Sequence, residues 1–423
     1  MSSAGFLFIS TILVNAGNYA INLLLGRFLG PQEFAEANIL ATLVLVLSFT
    51  ALGFQLTLAK YVAEFNTSSE EDKMASFIRW MRKNGLIFSI VVTAALCMGS
   101  QFISDFLNLQ HKNSLLILFV GIPFYIHMSI SRGYFQGVTS FRKLAFTYIA
   151  EMLGRLIFTT ALVYLVLQRG SSYASEAVAT GFFASFIFAF LVGLSAEQSK
   201  SDAKSFFDKT KILRFIAIVG FYEFSQILIN NSDVVLVKHF FENMEAGLYA
   251  SLALIGRVVF FATWTVVTML FPIVIEKEKK GEKHSHLFWQ SLGVVGGIGV
   301  SIVIACFFFD ELIITILFGP AYLSVSSLLW QYAVATTLFS CANVFVYYHM
   351  SLNKYIPVFI SLCIGALQIV CIYFLHETIE QVIMVQIILM TLLLVSLITY
   401  HKLLPMQVKA NVKTNSKIKI QPV

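Results

Sequence analysis

Apolar runs of about 20 residues follow one another through almost the whole of this 423-residue chain, and they leave few folds open. A helix of that length crosses a hydrocarbon core of roughly 30 Å, where no water is present to satisfy backbone polar groups. Of the residues, 58% are hydrophobic and only 12% charged, against roughly half and a quarter in soluble domains, which excludes an ordinary soluble fold. An outer-membrane barrel would need alternating segments of ~10 residues, and the runs here are continuous. The expected fold is an all-α polytopic membrane protein.

Twelve spans are expected. The first six centre near Val14, Val46, Val92, Phe119, Phe158 and Phe186, and the second six near Ile227, Phe260, Val300, Ala335, Gly365 and Leu392. An even number places both termini on one side. The loops after the even spans, with the tail, carry 23 of the 29 Lys and Arg residues, so the positive-inside rule makes that side cytoplasmic. The expected location is the plasma (inner) membrane. The formal charge of +6 then belongs to topology and anionic headgroups, and no nucleic-acid partner is implied. The five cysteines lie in apolar spans without metal-ligand spacing and read as buried free thiols.

Residues 1–198 form the expected N-terminal six-helix half, 199–214 a cytoplasmic linker, 215–404 the C-terminal six-helix half and 405–423 a cytoplasmic tail. No connection is long enough for a separate soluble domain. A shift of 212 positions superposes Asn18 on Asn230, Leu24 on Leu236, Phe28 on Phe240 and Glu33 on Glu245. A weaker echo pairs Phe102–Leu107 after span three with Phe309–Leu317 after span nine. Six is even, so the halves enter the membrane in the same orientation, as parallel repeats.

The repeat carries polarity where lipid disfavours it. Asn15, Asn18 and Asn22 share one face of span one, and Glu223, Gln226, Asn230 and Asp233 share one face of span seven. The amides read either as cavity lining or as interhelical hydrogen bonds. A lone carboxylate held away from water favours its protonated form, which makes Glu223 and Asp233 ion-coupling candidates. Glu151 and Arg155 stand one turn apart in span five and are expected to pair. The pair is either structural or a cavity-facing contact that opens to an anion or a proton, so Glu151 joins the coupling candidates. Arg257 has no charge one turn away on its own helix. Its partner is either Glu223 or Asp233, or a substrate phosphate matched to the guanidinium fork. Arg27, Lys60, Arg132 and Lys238 lie near span ends, where long side chains snorkel; Arg132 and Lys60 would mark the inner mouth of a cavity, Arg27 and Lys238 the outer. Gly293, Gly296, Gly297 and Gly299 lie inside a span and read as close helix packing. No catalytic, metal or cofactor site is expected, and the chain does not read as an enzyme.

Two stretches resemble a known family. Gly26–Phe34 (GRFLGPQEF) resembles the GR-x-LG-P turn of the polysaccharide transporter family, and Asp233–Val258 resembles its seventh-helix signature. Ala35 replaces the usual Gly of the first junction, whereas Gly247 keeps it in the second. These are Wzx-type oligosaccharide flippases, related to MATE exporters and the lipid II flippase. The resemblance implies a MATE-like fold that flips a polyprenyl-diphosphate-linked oligosaccharide by alternating access for surface polysaccharide synthesis. It also implies coupling to H⁺ or Na⁺, and polymerases and glycosyltransferases of the same pathway as partners. The substrate-binding candidates are Asn15, Asn18, Asn22, Arg27, Arg132, Arg155, Gln226, Asn230 and Arg257. A MATE-like cation-coupled drug or metabolite exporter is the alternative, for which a more apolar and acidic cavity with fewer internal arginines is expected.

Overall fold

A computed structural model describes residues 3–170, 173–194, 206–279, 282–352 and 354–417. The start of the expected linker (199–205), the end of the tail (418–423) and the Glu223 side chain lie outside the described residues. Every regular element described is helical: α1 (Ser3–Thr67), α2 (Glu71–Met98), α3 (Ser100–Phe106), α4 (Asn113–Val120), α5 (Ile122–Gly137), α6 (Phe141–Gln168), α7 (Ala174–Gly193), α8 (Lys209–Phe240), α9 (Asn243–Lys279), α10 (Ser285–Phe308), α11 (Asp310–Leu317), α12 (Leu329–Ser351, after a 3₁₀ segment Pro320–Leu328), α13 (Ile356–Phe374) and α14 (Ile379–Lys417). Each of the twelve expected span centres falls inside a helix. Among the described residues, nine helical stretches are long and apolar enough to cross a membrane, and the first, at 63 residues, is long enough to cross twice.

The long first helix is broken at Gly30, whose φ of 71° and ψ of 171° interrupt the α-helical path just before Pro31. Proline disfavours helical geometry in the residue before it, and glycine alone takes positive φ without steric cost. The break recurs one repeat later: α8 ends at Phe240 and α9 begins at Asn243, flanking the position 212 residues after Gly30. The second echo recurs as well, since the short helices α3 and α11 follow α2 and α10.

The chain forms two compact units. One comprises Met1–Ile227, Val237–Ala250 and Leu317–Ala321; the other comprises Leu228–Leu236, Ser251–Ile316 and Tyr322–Val423. In the first, Gly133 and Gly137 of α5 let the backbone of α1 approach: a Cβ on Gly133 would lie 2.5 Å from the Gln55 carbonyl oxygen. Small residues one turn apart serve this purpose in membrane helices, where dispersion replaces the hydrophobic effect as the packing force. Gly247 is tighter still, since an added Cβ would lie 1.7 Å from the Pro31 carbonyl oxygen. The glycine that the second junction keeps is thus the seat on which α9 crosses the break in α1.

Two expectations change here. Only Gly299 of the α10 glycines is pressed against α12, with Thr337 2.4 Å from its would-be Cβ, whereas Gly293 and Gly297 meet nothing within 4 Å. Of the five cysteines, expected to be buried, Cys306 is; Cys97, Cys341 and Cys371 are half-buried, and Cys363 is exposed.

Gly247→Ala is expected to lower the thermal midpoint of the detergent-purified protein, because the backbone at Pro31 has no room to yield; overpacking of this kind costs about 1–3 kcal/mol. Gly293→Ala, placed in open space on a helix, should leave the midpoint unchanged or raise it. Equal midpoints for wild type and Gly247→Ala would show that the seat does not exist.

Candidate functional site

Glu151 and Arg155 form the ion pair expected from their spacing on α6. The structure adds a third member. Arg132 of α5 places Nη2 2.8 Å from Glu151 Oε2, with 3% of its side chain exposed. The expectation that Arg132 snorkels to a span end is therefore corrected. Its Nε donates to Thr147 Oγ1 at 3.1 Å and its Nη2 to the Thr147 carbonyl oxygen at 2.8 Å. The guanidinium carbon stands 4.0 Å from the centre of the Tyr148 ring. These contacts replace the solvation that burial removes, which a lone arginine at this depth could not recover.

Arg155 extends the cluster to α1. Its Nη1 donates to Asn18 Oδ1 at 3.1 Å, and Asn22 Nδ2 donates to the Asn18 carbonyl oxygen at 2.8 Å. Asn18 and Asn22 are half-buried beside it, whereas Asn15 is exposed. The Nε–H of Arg155 finds no acceptor among the described residues. Two guanidiniums on one carboxylate leave one positive charge in excess. A second amide layer backs this site: Gln55 Nε2 donates to Gln136 Oε1 at 3.0 Å and to the Tyr148 hydroxyl at 2.8 Å. The sequence missed Arg132 as a partner because it lies on a neighbouring helix, where no i, i+4 spacing marks it.

The second unit holds its own polar site. Asn230, Asp233 and Arg257 line one cavity of about 30 Å³ with Tyr332, Thr336, Gln368 and Gln386, room for a water molecule or a bare cation. The Tyr332 hydroxyl donates to Asp233 Oδ2 at 2.7 Å, and Arg257 Nη2 donates to Asn231 Oδ1 at 3.2 Å. Gln368 Nε2 donates to Ser232 Oγ at 3.0 Å. Asn231 is thus a partner of Arg257 that the sequence did not point to, and Asp233 shares its cavity. Tyr332, Gln368 and Gln386 went unnoticed because single polar residues in apolar spans carry no periodic signal. Gln226 is buried in α8.

Of the remaining basic candidates, Arg27 and Lys60 are exposed, as snorkelling requires. Lys238 is not: it is 2% exposed, donates to the Asn108 carbonyl oxygen at 2.9 Å and contacts Asn243 Oδ1. It closes the α8–α9 junction onto the α3–α4 connection instead of marking a mouth. His239 reinforces this, stacked on Phe106 with ring centres 4.0 Å apart.

Proteins of very different sequence share this architecture. The inward-facing conformation of a multidrug resistance MATE family transporter of the MOP superfamily matches with a TM-score of 0.75, over 98% of this chain and 100% of that one, at 10% identity. The inward closed conformation of the lipid II flippase MurJ matches with a TM-score of 0.73, over 94% of this chain and 87% of that one, at 13% identity. The fold is therefore that of the MATE-like, multi-pass, all-α membrane proteins. Within that class the chain belongs to the polysaccharide biosynthesis protein family, whose family model matches residues 1–276. Sporulation protein YkvU of Bacillus subtilis (strain 168) is 31% identical over 140 residues, 33% of this chain; the aligned part spans 30% of that relative's length.

Glu151→Ala should destabilise the purified protein more than Arg155→Ala does. It leaves the buried Arg132 and the half-buried Arg155 guanidiniums without their shared carboxylate, and breaking a buried pair costs about 3–5 kcal/mol. Thermal unfolding in detergent reads the difference, and equal midpoints for the two variants would mean that the cluster is not held by its shared carboxylate.

Proposed function

We propose that the protein flips a polyprenyl-diphosphate-linked oligosaccharide across the plasma membrane for surface polysaccharide synthesis, with both termini cytoplasmic. The observation that carries this reading is the buried Arg132–Glu151–Arg155 cluster with its excess positive charge. A site for an anion inside a membrane protein must offer charge without holding a bare ion. A carboxylate shared by two arginines does that, because an incoming diphosphate competes with Glu151 for guanidinium N–H groups. The Arg155 Nε–H is one donor still available. Asn18 and Asn22 stand on the same side and suit sugar hydroxyls, being both donors and acceptors.

Alternating access would rock the half at 1–198 against the half at 215–404 about the linker at 199–214. The Asp233 cavity is the proposed coupling site, where H⁺ or Na⁺ binding would alter the contacts of Tyr332 and Gln368. Arg257 borders that cavity and offers the second half's contact to phosphate. Membrane lipids surround the protein, and glycosyltransferases and polymerases of the same pathway are the proposed functional partners. Catalysis of covalent chemistry plays no part in this reading. A drug exporter of the same fold would have little use for two buried arginines, which disfavour cationic drugs.

Purified protein in vesicles loaded with a fluorescent polyprenyl-diphosphate-linked oligosaccharide tests the proposal. Wild type should move the glycan, and Arg155→Ala and Arg257→Ala should each slow it by about tenfold or more, as loss of a charge-assisted contact worth about 1.5–3 kcal/mol requires. Arg155→Lys should retain part of the rate. Unchanged rates at equal protein content would overturn the phosphate role, and cation-driven efflux of a cationic dye without glycan movement would favour the exporter.

A further inference from the structure

A groove of about 360 Å³ runs along α1, α2 and α8 within the first unit. Its walls are the rings of Phe54, Trp80, Phe88 and Phe224, and its width comes from two glycines, Gly53 on α1 and Gly220 on α8. A Cβ added to either glycine would meet nothing within 4 Å among the described residues, in contrast to Gly133, Gly137 and Gly247, whose missing side chains let helices touch. These two glycines therefore hold space open. Thr50 and Asn84 are the polar residues of the lining, too few for a hydrated solute. Among the described residues, no carboxylate lines it. The cations Arg79, Lys83 and Arg214 are exposed and stand next in sequence to the lining residues Trp80, Asn84 and Leu213.

An apolar slot whose lining residues have exposed cations beside them in sequence matches an amphiphile with an anionic head. We propose that the groove holds the polyprenyl chain of the transported lipid in a loading position, with the diphosphate near Arg79, Lys83 and Arg214; this rests on the flippase reading above. A chain methylated at every fourth carbon needs a wider slot than a straight acyl chain, and two absent side chains facing one groove supply that width. The position is separate from the Arg132–Glu151–Arg155 cluster, so the lipid is captured by its tail before its head group reaches the buried arginines.

The test uses the full-length protein in vesicles of phosphatidylethanolamine and phosphatidylglycerol. The probe is a polyprenyl diphosphate with a photoactivatable diazirine in its chain, and a diazirine-bearing phosphatidylglycerol serves as the competitor. Wild type should be labelled on α1, α2 and α8. Gly53→Leu and Gly220→Leu fill open space and should fold; each should reduce groove labelling about tenfold, the equivalent of roughly two buried methylenes. Gly297→Leu, filling open space on α10, should leave labelling unchanged. Labelling confined to other helices, undiminished labelling in both filled variants, or equal labelling by phosphatidylglycerol would overturn the proposal. The map of labelled residues in wild type decides the question even where a filled variant misfolds. Groove labelling by the polyprenyl probe in a protein that moves no glycan would uphold the chain site and refute the flippase reading alone.

Discussion

Glu151 is one carboxylate shared by two arginines, Arg132 buried and Arg155 half-buried, and the polar interior of the first unit is arranged around that sharing. Taking an ion into a low-dielectric interior costs several kcal/mol, and partners repay it only when nearly every donor and acceptor is used. Thr147 takes two bonds from Arg132, Tyr148 stacks on it, and Asn18 ties Arg155 to α1. These contacts come from three helices, α1, α5 and α6, so the packing of those helices and the satisfaction of the charges are one problem. Gly133 lies one residue after Arg132 and brings α5 against the Gln55 backbone, which helps set the cluster at bonding distance.

The two polar sites differ in kind. The first unit has excess positive charge beside amides, whereas the second gathers Asp233, Arg257 and neutral hydrogen-bonding groups around a cavity of about 30 Å³. The helix break at Gly30 and its counterpart between α8 and α9 recur at the same register, although the polar residues of the two units differ.

Much of this was legible in the sequence, for definable reasons. Span positions follow from bulk hydropathy, which survives any error in detail, and every span centre lies in a helix. The Glu151–Arg155 pair was readable because both residues sit on one helix, where spacing fixes distance. Arg132 and Lys238 were misplaced because position near a span end says nothing about which partners a neighbouring helix brings. The Asn231 contact of Arg257 failed to show for the same reason: it needs the packing of α8 against α9, and each helix alone is silent on it. The groove at Gly53 and Gly220 is invisible to sequence altogether, since a glycine that opens space and one that closes a contact look alike.

Binding of the lipid-linked glycan tests the central claim, that the shared-carboxylate cluster receives the diphosphate. Reconstituted wild type and Arg155→Ala would be titrated with the polyprenyl-diphosphate-linked oligosaccharide and with the same glycan on an uncharged polyprenyl ether. Wild type is expected to prefer the diphosphate by about tenfold or more, since charge-assisted bonds to phosphate are worth about 1.5–3 kcal/mol, and Arg155→Ala should lower the preference, the other cations keeping part of it. Equal affinity of wild type for the charged and uncharged lipids would contradict the account.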